Sequence, residues 1–73
     1  MRGYGKRWQA LKEKEGNAKY NEALKQVTER FNERAGKLES SSRWKKMDNE
    51  KRSKELQTIR SEETERIFGR YGI

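Results

Sequence analysis

The stretch Asn17-Ala18-Lys19-Tyr20-Asn21-Glu22-Ala23-Leu24-Lys25-Gln26-Val27-Thr28-Glu29-Arg30-Phe31-Asn32-Glu33-Arg34-Ala35-Gly36-Lys37-Leu38-Glu39 decides the fold class. Within it Tyr20, Leu24, Val27, Phe31, Ala35 and Leu38 recur at steps of 4, 3, 4, 4 and 3. That period sets them on one stripe of a helix, with Lys25, Glu29, Arg30, Glu33 and Arg34 mainly off it. A strand would need strict alternation of apolar and polar residues, and the chain shows none. Asn17 is the expected N-cap of a helix over about 18–39. Gly36 costs about 1 kcal/mol relative to alanine, so the last turn is expected to fray or stop there.

Outward from this segment, breaks come from Gly, Ser and Asn, because the chain has no proline. On the N-terminal side Gly16-Asn17 interrupts, and before it Tyr4, Trp8 and Leu11 repeat at 4 and 3, predicting a short helix over about 5–15. On the C-terminal side Ser40-Ser41-Ser42 interrupts, and Ser42 is expected to cap a brief turn carrying Trp44 and Met47. Asp48 or Asn49 then caps a long helix over about 49–68, with Leu56, Ile59, Ile67 and Phe68 apolar and Glu63 where a further core residue belongs. Glu50–Lys54 and Glu62–Arg66 offer pairs four residues apart, worth ~0.2–0.5 kcal/mol each. The expectation is an all-α protein: one domain over 1–73, a small bundle or open arrangement of three to four helices, loose at about 1–4 and 69–73.

Composition limits the chemistry. Of 73 residues 29% are hydrophobic and 42% charged, with 19 Lys+Arg against 12 Asp+Glu for a net charge of +7. A core this thin yields roughly 3–5 kcal/mol of net stability. The absence of Cys and His excludes disulfides, His- or Cys-ligated zinc and the common nucleophilic sites. Paired carboxylates remain in Glu62, Glu63 and Glu65, but some seventeen large apolar residues cannot both fill a core and wall a dry pocket. No apolar run approaches the ~18 residues that span a bilayer, and no signal-peptide-like stretch follows Met1. The expectation is therefore a soluble, cytoplasmic, non-enzymatic protein without cofactor or metal, monomeric when free.

Three constellations carry the functional reading. The segment Arg43-Trp44-Lys45-Lys46-Met47-Asp48-Asn49-Glu50-Lys51-Arg52-Ser53-Lys54 holds six basic residues against two acidic, a surface that suits a phosphate backbone, with an aromatic beside it. Its plainer reading is that Trp44 and Met47 plug the core while the lysines face water. Residues 1–19 hold six basic against two acidic, and Tyr4, Arg7 and Trp8 among glycines are the types that dominate interface hot spots. Trp8 reads equally as a core residue closing over the next helix. The third is Glu62-Glu63-Thr64-Glu65 with Arg66, Arg70 and the tail to Ile73, which reads as a docking arm or as a frayed end. A pI of about 9.9 favours nucleic acid or acidic protein surfaces, although acids and bases interleave along most of the chain.

The order tryptophan, apolar residue, polar cap and Glu/Lys-rich helix in residues 43–54 is similar to a piece of the HMG box. The chain departs from that family by lacking its proline-containing basic arm and aromatic-rich first helix. The whole chain, from Met1-Arg2-Gly3-Tyr4-Gly5-Lys6-Arg7-Trp8 to Phe68-Gly69-Arg70-Tyr71-Gly72-Ile73, resembles the small transcription regulators of Xanthomonas phage, which bind host RNA polymerase. The resemblance rests on length, basic helical character and general appearance rather than on a diagnostic motif. It implies a regulator in the bacterial cytoplasm that contacts the N-terminal region of the largest polymerase subunit. It would block host initiation in competition with the σ factor and promote antitermination. From residue type, the partner-binding residues are Tyr4, Arg7, Trp8, Arg43 and Trp44, with Lys45, Lys46 and Arg52 as supporting charges. The alternative is a basic helical protein that binds nucleic acid non-specifically.

Overall fold

The computed structural model describes residues 4–73. Of the expected loose N-terminal end, residues 1–3 lie outside the described residues. Four helices follow one another: α1 Tyr4–Glu15, α2 Asn17–Glu39, α3 Ser42–Lys45 and α4 Asn49–Tyr71. No strand occurs among the described residues, and the all-α expectation holds with both long helices where the periodicity puts them.

Each boundary has a local cause. Gly16, not Asn17, is the residue before α2; its φ of 94° lies in the left-handed region that favours glycine, and it allows α1 to fold back after one residue. Ser41 rather than Ser42 caps α3, its hydroxyl accepting from the Trp44 amide at 3.3 Å. Of the two expected candidates for the cap of α4, Asp48 takes the place, accepting from the Lys51 amide at 2.8 Å, and Asn49 is the first helical residue. α2 passes through Gly36 without stopping. α4 runs three residues past its expected end to Tyr71, because Gly72 at φ 70° closes it. There the Gly72 amide donates to Gly69 at 3.3 Å and the Ile73 amide to Phe68 at 2.9 Å, the two bonds of a Schellman motif.

The helices form an elongated body of 43 × 22 × 16 Å. α2 and α4 pack along each other, while α1 lies across one end and α3 turns the corner at the other. Two apolar clusters result. At the α1 end Leu11, Ala23, Val27 and Ile67 are buried, with Trp8, Tyr71 and Ile73 packed around them. At the α3 end Leu38, Met47 and Ile59 are buried beneath Phe31, Trp44 and Leu56. The buried face of α2 differs from the expected stripe. Ala23 is fully buried, whereas Tyr20, Leu24 and Phe31 are half-buried. α2 packs against two neighbours, α1 and α4, and the small Ala23 faces that junction.

Between the clusters stands a polar layer. Glu63, the acid at a core position, is 2% exposed. Its carboxylate accepts from Arg30 Nε at 3.0 Å and Arg34 Nη1 at 2.9 Å, both from α2. Arg34 also reaches Glu62 at 2.8 Å, so Glu62 pairs between helices rather than with Arg66 along α4. Glu50 and Lys54, likewise expected to pair, form no ion pair among the described residues. Burial pushes the Glu63 carboxyl up, but hydrogen bonds from Arg34 and then Arg30, with the nearby charges of Arg30 and Arg66, outweigh it and leave its pKa below the ordinary carboxylate value.

Candidate interaction surfaces

The eight residues expected to bind a partner divide between the two ends of the molecule. Tyr4, Arg7 and Trp8 stand on α1 over the C-terminal part of α4. Arg43, Trp44, Lys45, Lys46 and Arg52 gather where α3 meets the start of α4. Phe68 and Arg52 mark these ends on α4, and sixteen residues at 1.5 Å rise separate them by about 24 Å. A single patch joining all eight does not exist.

At the α1 end the helix repeat turns Tyr4, Arg7, Trp8 and Leu11 toward α4 and α2. Leu11 is fully buried, and the others surround the fully buried Phe68. The Arg7 guanidinium lies 4.5 Å from the Phe68 ring centroid, and the Trp8 ring meets Phe68 edge-on at 4.9 Å and Tyr20 edge-on at 5.9 Å. One carboxylate orients the group. Glu65 Oε2 accepts from Arg7 Nη1 at 2.9 Å and from the Tyr4 hydroxyl at 3.0 Å, and the first of these bonds does most to hold its pKa below the usual range. Arg7 Nη2 donates to the Ile73 carbonyl at 3.3 Å, and Lys14 Nζ to the Tyr71 carbonyl at 2.9 Å. Trp8 is thus core and surface at once. It packs on the first cluster, is half-buried, and borders both an open cleft of about 570 Å³ against α2 and an open groove of about 280 Å³ against α4.

At the α3 end the plainer reading of Trp44 and Met47 holds: Met47 is buried with Leu38 and Ile59, and Trp44 is half-buried against them. Arg52, expected as a supporting charge, is largely engaged within the fold. Its Nε and Nη2 donate to the Trp44 carbonyl at 3.1 and 3.0 Å, and its guanidinium stacks 4.9 Å from the Trp44 ring centroid. Arg43 approaches Glu55 at 3.6 Å. Lys45 and Lys46 are exposed, as are Lys51 and Lys54, which residue type had not singled out.

Glu65 and Phe68 were missed as parts of the α1 surface. Their partners lie about sixty residues away in sequence, and only the folded chain joins them. Compared with protein-family models, curated proteins and solved structures, the chain matches none.

Proposed function

We propose that this protein is a stoichiometric, non-enzymatic regulator that binds bacterial RNA polymerase, inhibits initiation at host promoters and promotes antitermination. The resemblance of the whole chain to the small phage transcription regulators supplies the partner. The observation that supports a binding role is the α1 end itself. There Tyr4, Arg7 and Trp8 stand together, half-buried, around Phe68, with Glu65 fixing two of them in advance. A surface of aromatic rings and a guanidinium already held in place loses little side-chain entropy on docking. The α1 end is the polymerase-facing surface in this reading.

The test is an affinity pull-down from nuclease-treated bacterial lysate with the intact chain as bait. Polymerase subunits are expected in the eluate, with the largest subunit cross-linked to α1. A Trp8→Phe variant, which keeps an aromatic ring against Phe68 but loses area and the indole N–H, is expected to retain roughly a tenth of the affinity, a loss near 1.4 kcal/mol. An eluate without polymerase sinks the proposal.

A further inference from the structure

The net charge is not spread along the rod. Residues 40–54 carry six cations and two carboxylates, whereas residues 55–73 carry three cations and four carboxylates. Residues 1–19 hold another +4 and residues 20–39 have no net charge, so the positive charge collects in two places, the N-terminal segment and the corner where α3 turns into α4. Most arginines of the described residues are committed within the fold: Arg7 to Glu65, Arg30 and Arg34 to Glu63, Arg43 to Glu55, Arg52 to the Trp44 carbonyl. Lys45, Lys46, Lys51 and Lys54 are different. All four are exposed, and among the described residues none of their ammonium groups takes part in an ion pair or a hydrogen bond. Of the carboxylates at this corner, Asp48 caps α4 and Glu55 meets Arg43, leaving Glu50 exposed.

The platform under these lysines is fixed. Ser41 and Asp48 cap the two helices, Met47 is buried, and the Arg52 guanidinium ties α4 to the Trp44 carbonyl. Four ammonium groups on flexible stems, divided between the end of α3 and the first two turns of α4, provide point charges without the fork geometry that reads a particular base or a planar carboxylate. They favour a ligand with closely repeated negative charge, bound through release of its counterions. A duplex, stiff over about 150 base pairs, offers its phosphates at fixed positions, whereas a single strand can bend to bring phosphates to ammonium groups spread over two helices. We propose that the α3–α4 corner binds the phosphodiester backbone of single-stranded nucleic acid, independently of base sequence, with Lys45, Lys46, Lys51 and Lys54 as the phosphate contacts. The surface lies at the opposite end of α4 from Tyr4, Arg7 and Trp8 and does not depend on the polymerase reading.

Fluorescence anisotropy of the intact protein with a labelled 20-nucleotide oligo-dT tests it. Four phosphates neutralised on a single strand predict a slope of log K against log salt of about −3, so affinity falls roughly 50-fold between 50 and 200 mM salt. Lys45→Ala/Lys46→Ala and Lys51→Ala/Lys54→Ala are each expected to remove about half of that slope. A Lys19→Ala/Lys25→Ala control should leave it unchanged, and circular dichroism checks that each variant stays helical. The proposal is overturned by a slope near zero, by an equal loss in the control, by a blunt 20-base-pair duplex binding as tightly, or by polyglutamate competing as well as unlabelled oligonucleotide.

Discussion

Arg34 and Glu63 meet at 2.9 Å across the α2–α4 contact, and that contact is what makes an acid tolerable between two apolar clusters. Arg34 is partly solvated, at 37% side-chain exposure, whereas Glu63 is 2% exposed. The charge that has been desolvated is therefore the carboxylate. Arg34 remains firmly protonated, its pKa raised by its hydrogen bond to Glu62 and then by that to Glu63.

Removing the cations should hurt more than removing the anion. Arg30→Ala/Arg34→Ala strands a buried carboxylate and is expected to cost about 3 kcal/mol, enough to unfold much of a domain this small. Glu63→Met, which fills the same space without charge, is expected to be neutral or stabilising by about 1 kcal/mol. Urea titrations followed by circular dichroism measure both. Equal destabilisation by the two variants would contradict this account.

Acid should act through the same carboxylates. Glu63 and Glu65 have pKa values lowered by folding, so each contributes stability that is present above its unfolded value, about 4.3. That contribution is lost as pH falls through the lower, folded value. Melting temperature is thus expected to be flat from pH 7 to about 5 and to drop below about 4. In Glu63→Met the drop should be smaller, because only the Glu65 part of this contribution remains. Differential scanning calorimetry across this range checks the difference.

Leu11→Ala should loosen α1 alone. The side chain is fully buried in the first cluster, and its truncation costs about 2–5 kcal/mol. α1 meets α4 through Tyr4, Arg7, Trp8, Leu11 and Lys14, whereas the second cluster contains no α1 residue. Hydrogen exchange is expected to speed in α1 and around Phe68 while the amides near Ile59 stay protected. Uniform loss of protection would show that the two clusters open together.

The glycines should respond in opposite directions. An added Cβ at Gly36 meets nothing within 4 Å, so Gly36→Ala is expected to raise stability by about 0.5–1 kcal/mol. At Gly72, whose φ is 70°, Gly72→Ala should cost about 1 kcal/mol and free the last turn of α4. Thermal melts of the two variants give the sign directly.

The helices were largely legible in the sequence, because the Tyr20–Leu38 repeat and the Asp48 cap are local signals. What was not legible depends on more than one helix. The face of α2 includes Ala23 because α1 and α4 both press on it, and a stripe read from one helix cannot register a second neighbour. Glu63 stood out as an acid in a core position, yet its partners Arg30 and Arg34 look like ordinary solvent-facing residues until α4 lies beside them. Ser41 and Ser42 are equally competent caps, and only the turn geometry selects the first. The eight candidate binding residues could be named by type, but their division between opposite ends follows from the length and packing of α4, which no spacing within a segment reveals.

The single-residue joint at Gly16 also bears on how quickly the molecule assembles. α1 can find α2 by closing almost no loop, and α2 finds α4 across one short corner, so most contacts form between neighbours in the chain. Folding of such a topology is expected within microseconds to milliseconds. With no proline in the sequence, no slow isomerising population should trail behind it. The most distant closures are those of α1 on α4, Tyr4 and Arg7 on Glu65, Trp8 on Phe68 and Lys14 on the Tyr71 carbonyl, which clasp the two ends of the chain together.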